Sequence, residues 1–214
     1  MREIEAVYFD IGETLLDRTR EYAAWADFLG LPRHTFSAVF GAMIAAGVGV
    51  RDVIARFRPD EPFERLRERI EVPPLAERDL YPDARRALAA LRAADRQVGV
   101  IGNQPSGVGD EVRALALPAD VVLTSADIGV AKPDPRFFET IVERAGVSPE
   151  RIAYVGDQID NDVVPALAAG LRAIRLRRGP WGLLTPHADV DQRCLAVLDS
   201  LDAVVPVVTG EFVR

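Results

Sequence analysis

Cysteine and histidine are nearly absent from this chain: Cys194 stands alone, and His34 and His187 are the two imidazoles. A single thiol forms no internal disulfide, and no Cys/His cluster offers a zinc site, so any metal would be held by oxygen. Positive charge is in deficit as well. Against 26 basic side chains stand 33 acidic ones, a net charge of -7, opposite in sign to the field that a nucleic-acid surface requires. Long apolar runs are also missing: none approaches the roughly 20 residues that span a bilayer. Met1-Arg2-Glu3 opens without the apolar stretch of a signal peptide. The expectation is a cytoplasmic protein, monomer or homodimer, with neither nucleic acid nor membrane as partner. Internal repeats and low-complexity tracts are lacking too. A chain of 214 residues has room for one sizeable core and a small insert.

What is present changes character along the chain. An apolar run, Ala6-Val7-Tyr8-Phe9, stops on Asp10 and continues Ile11-Gly12-Glu13-Thr14-Leu15-Leu16-Asp17, as a buried strand delivering an acid to a loop would. Residues 18–80 carry Ala, Leu, Arg and Glu at helical spacing, broken at Gly30-Leu31-Pro32, Gly47-Val48-Gly49, Pro59 and Pro73-Pro74. From Pro82 onward strands and helices alternate: helices over 84–94, 109–115, 135–145 and 162–169, strands over 97–101, 120–123, 152–155 and 173–176. Such alternation implies an α/β fold, a Rossmann-like three-layer α/β/α parallel sheet whose strands are apolar because both faces are covered. The predicted division is a core of residues 1–17 and 81–214 with a small all-helical cap, 18–80, inserted after the first strand. Val204-Val205-Pro206-Val207-Val208 reads as an edge strand, where proline is tolerated.

Four strands end in polar residues: Asp10; Gly102-Asn103; Ser125 with Lys132-Pro133; and Gly156-Asp157 with Asp160 and Asp162. In a parallel sheet these ends converge. Asp10, Asp157 and Asp162 then form a hard-oxygen pocket suited to Mg²⁺, and Lys132 adds a positive charge. A cation and an ammonium around a carboxylate nucleophile are what phosphoryl transfer needs, because the transferred group carries its charge on its oxygens. Asp10 and Asp162 also have plain structural readings, as turn or helix caps. Asp160 reads as surface; Arg18 and Arg20, at the entrance to the helical segment, read as surface with contact to an anionic substrate as the alternative, and Tyr22, Trp25, Phe28 and Phe36 read mostly as the cap's own core. Residues 175–182 either line the entrance or close the sheet edge.

Taken in order, these motifs resemble the haloacid dehalogenase superfamily over nearly the whole chain. Phe9-Asp10-Ile11-Gly12-Glu13-Thr14-Leu15 is similar to its first motif, Val100-Ile101-Gly102-Asn103 to its second, Gly129-Val130-Ala131-Lys132-Pro133-Asp134-Pro135 to its third, and Val155-Gly156-Asp157 through Asn161-Asp162 to its fourth. The resemblance implies a Mg²⁺-dependent phosphatase of a small phosphorylated metabolite, acting through an aspartyl-phosphate on Asp10. It implies Mg²⁺ ligands at Asp10, the Gly12 carbonyl, Asp157 and Asp162, and substrate contacts at Gly102, Asn103 and Lys132.

Two positions depart from the family pattern. The usual second Asp, a general acid and base, is Gly12; the usual phosphate-binding Ser or Thr is Gly102. General acid catalysis contributes typically 10²–10⁴-fold, so its loss weighs most on alkoxide leaving groups. Glu13 is the candidate substitute acid. Two other readings compete: a weak or inactive family member that binds a phosphorylated ligand or partner, and a metal-independent 2-haloacid dehalogenase.

Overall fold

The apolar run at the N-terminus forms a strand, Ala6–Phe9 (β1), with every residue buried. The structure, a computed structural model, describes residues 3–105 and 107–210. Residues 1, 2, 106 and 211–214, part of the span predicted for the core, lie outside the described residues. The other strands are Gln97–Gly102 (β2), Val121–Thr124 (β3), Ile152–Gly156 (β4), Arg172–Leu176 (β5) and Ala196–Leu198 (β6). They form one parallel sheet of order β3-β2-β1-β4-β5-β6, a Rossmann-like arrangement. The helices in chain order are Thr19–Leu29 (α1), Arg33–Ala45 (α2), Val50–Phe57 (α3), Phe63–Arg69 (α4), Ala84–Ala93 (α5), Val108–Ala114 (α6), Ser125–Ile128 (α7), Pro135–Ala145 (α8), Val164–Ala168 (α9), Gly179–Leu184 (α10), Ala188–Asp191 (α11) and Val204–Thr209 (α12).

Strand geometry explains why β1 is apolar throughout. Successive side chains point to opposite faces, so Val7 and Phe9 enter one hydrophobic cluster with Leu88 and Leu91 of α5, while Ala6 and Tyr8 enter another with Phe137 and Phe138 of α8. Burying each such large side chain contributes about 1.5–3 kcal/mol. The strand order reverses at β1: β2 and β3 lie on one side, β4 and β5 on the other. That reversal opens a crevice at the carboxyl ends of β1 and β4, where open α/β sheets bind ligands.

The segment after Asp17 forms α1 to α4, which gather Trp25, Phe36, Phe40, Ile44, Val53, Ile54 and Leu66 into a third cluster. Gly30 ends α1 in the left-handed region at φ 72°, a conformation that glycine adopts without the Cβ penalty. The outgoing and returning chains are zipped together: Asp17 N–H donates to Asp79 O at 2.8 Å and Tyr81 N–H to Leu15 O at 2.9 Å. Trp181 of α10 packs edge-on against Phe40 of α2, ring centroids 5.6 Å apart.

The tail corrects an expectation. Residues 204–208 are not an edge strand but belong to α12, and the strand at that edge is β6. Val204 and Val208 are buried together against the sheet while Val205 and Val207 are only partly covered, the four-residue spacing of a helix face. Pro206 falls in the first turn, where its missing N–H costs no helical bond.

Candidate active site

Backbone pairing brings the first two acids together. Phe9 of β1 is in register with Val155 of β4, and Asp10 N–H donates to Val155 O at 2.9 Å. Asp10 and Asp157 therefore leave neighbouring strands side by side, and both are buried. A π-helical turn, Ile159–Val163, then carries Asp162 back beneath the strand end. Gly156 permits this approach, since a Cβ there would lie 2.5 Å from Cβ of Asp162. Single carboxylate oxygens of Asp10, Asp157 and Asp162 all lie within 4.8 Å of one another.

Lys132 is buried among them. Its Nζ donates to Asp10 Oδ1 at 2.6 Å, to Asp162 Oδ1 at 2.5 Å and to the Tyr154 hydroxyl at 3.2 Å, which uses all three ammonium protons. Burial works to lower the Lys132 pKa, but Asp10 and Asp162 outweigh it and hold the ammonium charged. Burial pushes the Asp10 carboxyl up to about 6 against the pull of Lys132. Asp162 Oδ2 accepts from Gln158 N–H at 2.9 Å. Asp157 differs: both its oxygens are buried and neither has a hydrogen-bond partner among the described residues. Burial, then the charges of Asp162 and Asp10, push its carboxyl well above the usual range.

Charge arithmetic gives the deficit its size. Were all three buried carboxylates ionised against the one buried ammonium, two negative charges would stand uncompensated, and buried charge is costly unless it is paired, protonated or bound to metal. A divalent cation would balance the cluster, and the oxygen-only donor set with Asp157 unpartnered fits a hard ion such as Mg²⁺.

The other predicted residues fall as follows. Gly12 lines the cleft beside Asp10. Asn103 spends its side chain on the Lys132 backbone, Nδ2 donating to Lys132 O at 3.0 Å and Oδ1 accepting from Lys132 N–H at 2.8 Å. Gly102 is buried at the end of β2, and a Cβ there would lie 2.7 Å from Asp10 Oδ1, so the Asp10 carboxylate fills the space where a side chain at 102 would begin. Glu13 is turned away from the cleft: its carboxylate accepts from the Tyr81 hydroxyl at 2.7 Å and from Arg18 N–H at 3.3 Å. Its backbone is left-handed, φ 57°, so the chain is not extended at that position. The Glu13 carboxylate is therefore held by Tyr81 and Arg18 N–H outside the cleft lining.

Above this floor lies a cleft of about 1060 Å³ shared between the sheet's carboxyl edge and the helical segment, lined by Asp10, Lys132, Arg18, Glu21, Trp25 and Trp181 among others. Arg18, which the sequence reads as surface or as a contact for an anionic substrate, lies in the cleft, and Glu21 escaped the sequence reading. Tyr154 escaped it too: the strand alternation turns its hydroxyl toward Lys132. Arg20 pairs with Asp79 at 2.6 Å, and Arg175 is buried in β5 against Asp191.

Comparison with known proteins gives a consistent picture. The sequence model of the haloacid dehalogenase-like hydrolases matches residues 4–170. A glyceraldehyde 3-phosphate phosphatase from Methanopyrus kandleri is 27% identical over 88% of this chain and 90% of its own length. A phosphatase from Mycobacterium tuberculosis is 33% identical over 82% of this chain and 88% of its own. A HAD-superfamily hydrolase from Geobacter sulfurreducens shares the fold with a TM-score of 0.70 and 20% identity, covering 96% of each chain.

Proposed function

The chain belongs to the haloacid dehalogenase-like hydrolases, and on that premise we propose that it is a Mg²⁺-dependent phosphatase of a small phosphorylated metabolite. The observation that carries this reading is the buried floor of the cleft: Asp10 held by Lys132, beside Asp157 with two unpartnered oxygens. Asp10 acts as nucleophile. Lys132 orients it and offers positive charge to the phosphoryl oxygens, while Asp162 fixes Lys132 from the other side and Asn103 fixes the loop that carries it. Asp10, Asp157 and the Gly12 carbonyl would hold the metal, with Asp162 in support; when bound, the ion neutralises charge on the transferring phosphoryl group. Gly102 has no side chain to offer, so phosphate contact there falls to the backbone. The helices of residues 18–80 act as a cap that roofs the cleft and selects the substrate.

Replacement of Asp10 by Asn tests this. Hydrolysis of an aryl phosphate should fall by about 10³-fold or more with folding intact; an unchanged rate would remove Asp10 from the mechanism.

One observation favours a second reading. Gly12 removes the usual proton donor, and a weak or inactive member that binds a phosphorylated ligand would tolerate that loss. Absence of turnover across a broad phosphate panel, together with Mg²⁺-dependent thermal stabilisation by phosphate analogues, would select it. The carboxylates of Asp157 and Asp162, gathered as a hard cation would need them, weigh against the dehalogenase reading, and chloride release insensitive to chelator would restore it.

A further inference from the structure

The missing side chain at position 12 leaves no empty space. A Cβ built on Gly12 would lie 3.0 Å from Cδ of Arg18 and 3.7 Å from its Nε, so an arginine occupies the place from which an acid at 12 would act. Arg18 lines the same cleft as Asp10 and Lys132. Its guanidinium is held from one side: Nε and Nη2 each donate at 2.9 Å to the two oxygens of Glu21, and Cζ lies 4.9 Å from the centre of the Tyr22 ring. Nη1 makes no hydrogen bond to a described residue. The side chain is 25% exposed, partly withdrawn from water yet open to the cleft. Glu21, with Arg18 beside it and Arg67 at 4.0 Å, is held below the ordinary carboxylate range against the effect of burial; it anchors Arg18 and is no proton donor.

We propose, resting on the phosphatase reading above, that Arg18 replaces the missing acid with a fixed positive charge that receives the leaving-group oxygen. An arginine is never deprotonated at working pH, so it stabilises an anion without giving it a proton. In the first step an Asp10 carboxylate oxygen bonds to phosphorus and the bond from phosphorus to the leaving oxygen breaks. The electron pair departs on that oxygen, which leaves as an anion beside Arg18. In the second step water bonds to phosphorus, the bond to Asp10 breaks, and both water protons leave on the phosphate as its monoanion. No external acid is consumed in either step. The substrate class follows: phosphates whose leaving groups are stable as anions, acyl and aryl phosphates, ahead of simple alkyl esters.

The test is the dependence of kcat/KM on leaving-group acidity across a series of aryl phosphates, for the parent, Arg18→Gln, Arg18→Lys and Glu21→Gln, with Asp10→Asn as control. Arg18→Gln should lose little on the most acidic phenol and about 10²-fold on phenol itself, in line with loss of one charge-stabilising donor. Arg18→Lys should recover part of that slope. Glu21→Gln, which leaves Arg18 in place without its anchor, should show the same trend more weakly. A uniform loss, or none, across the series in Arg18→Gln with Asp10 still essential would overturn the role of Arg18 and leave the phosphatase reading standing. Absence of turnover by the parent, or an Asp10→Asn variant as active as the parent, would overturn the phosphatase reading and this inference with it.

Discussion

Asp157 is buried with both carboxylate oxygens unpartnered, a placement that costs stability unless a cation balances it. Asp157→Asn should therefore make the metal-free protein more stable, by about 1–3 kcal/mol, while abolishing stabilisation by Mg²⁺. Calorimetric unfolding with Mg²⁺ and with chelator checks both halves; a less stable metal-free variant would contradict the assignment. Gly12→Asp supplies a second residue-scale test. Its carboxylate would meet Arg18, so alone it should pair with that guanidinium and gain little on alkyl phosphates. Combined with Arg18→Ala it should gain more than the two single changes added together, a non-additivity expected of residues in contact. Asp10, Lys132, Asp157 and Asp162 were legible in the sequence because each follows a strand of a parallel sheet, and parallel strands deliver their ends to one edge. The approach of Arg18 to Gly12 and its anchoring by Glu21 were not, since both depend on the path of the loop between β1 and α1. The direction of the Glu13 side chain depends on that loop too: its left-handed backbone sends the carboxylate to Tyr81.

Among the elements, the β1–β2 pair has no room for added volume at Gly99. Gly99 lies in register with Tyr8, and a Cβ at Gly99 would sit 2.3 Å from the Tyr8 ring. Gly99→Ala should cost about 1–3 kcal/mol by overpacking, read as a lowered denaturant midpoint; a neutral result would mean that the ring moves freely. Trp181 links the elements across the cleft through its contact with Phe40. Trp181→Ala should weaken the attachment of the helical segment by about 0.5–1.5 kcal/mol, seen as faster limited proteolysis between residues 19 and 69, and an unchanged digest would deny it that role. The strands with continuous apolar runs were legible because two-sided burial leaves a plain compositional mark. The tail was not: a run of valines favours a strand locally, and only the packing of Val204 and Val208 against the sheet selects the helix.

At the scale of the whole molecule, the reversal of strand order at β1 places every acid of the cluster in one buried crevice, and the protein's response to pH should reflect it. Asp10 is raised from 3.8 to about 6, first by burial, and burial likewise pushes the Asp157 carboxyl well above the ordinary carboxylate range. A raised folded pKa contributes stability that is complete below the unfolded value and is lost as pH rises through the folded one. In the absence of metal this site should thus lose stability between about pH 4 and pH 7. Stabilisation by Mg²⁺, which competes with those protons, should grow from about pH 5 to about pH 7.5; a Mg²⁺ effect independent of pH would contradict the carboxylate cluster as its site. The α/β architecture itself was legible from the alternation of strands and helices, whereas the shape of the cleft was not, because it depends on how the helices of 19–69 meet Trp181. The central claim is that Asp10 takes the phosphoryl group in a site lacking the usual second acid, which also leaves the attacking water of the second step without a base. The most direct measurement is mass spectrometry of enzyme acid-quenched during turnover of an aryl phosphate with Mg²⁺. Phosphate accumulated on the peptide carrying Asp10 is the predicted result; steady turnover with that peptide unmodified, or with the label on another residue, would contradict it.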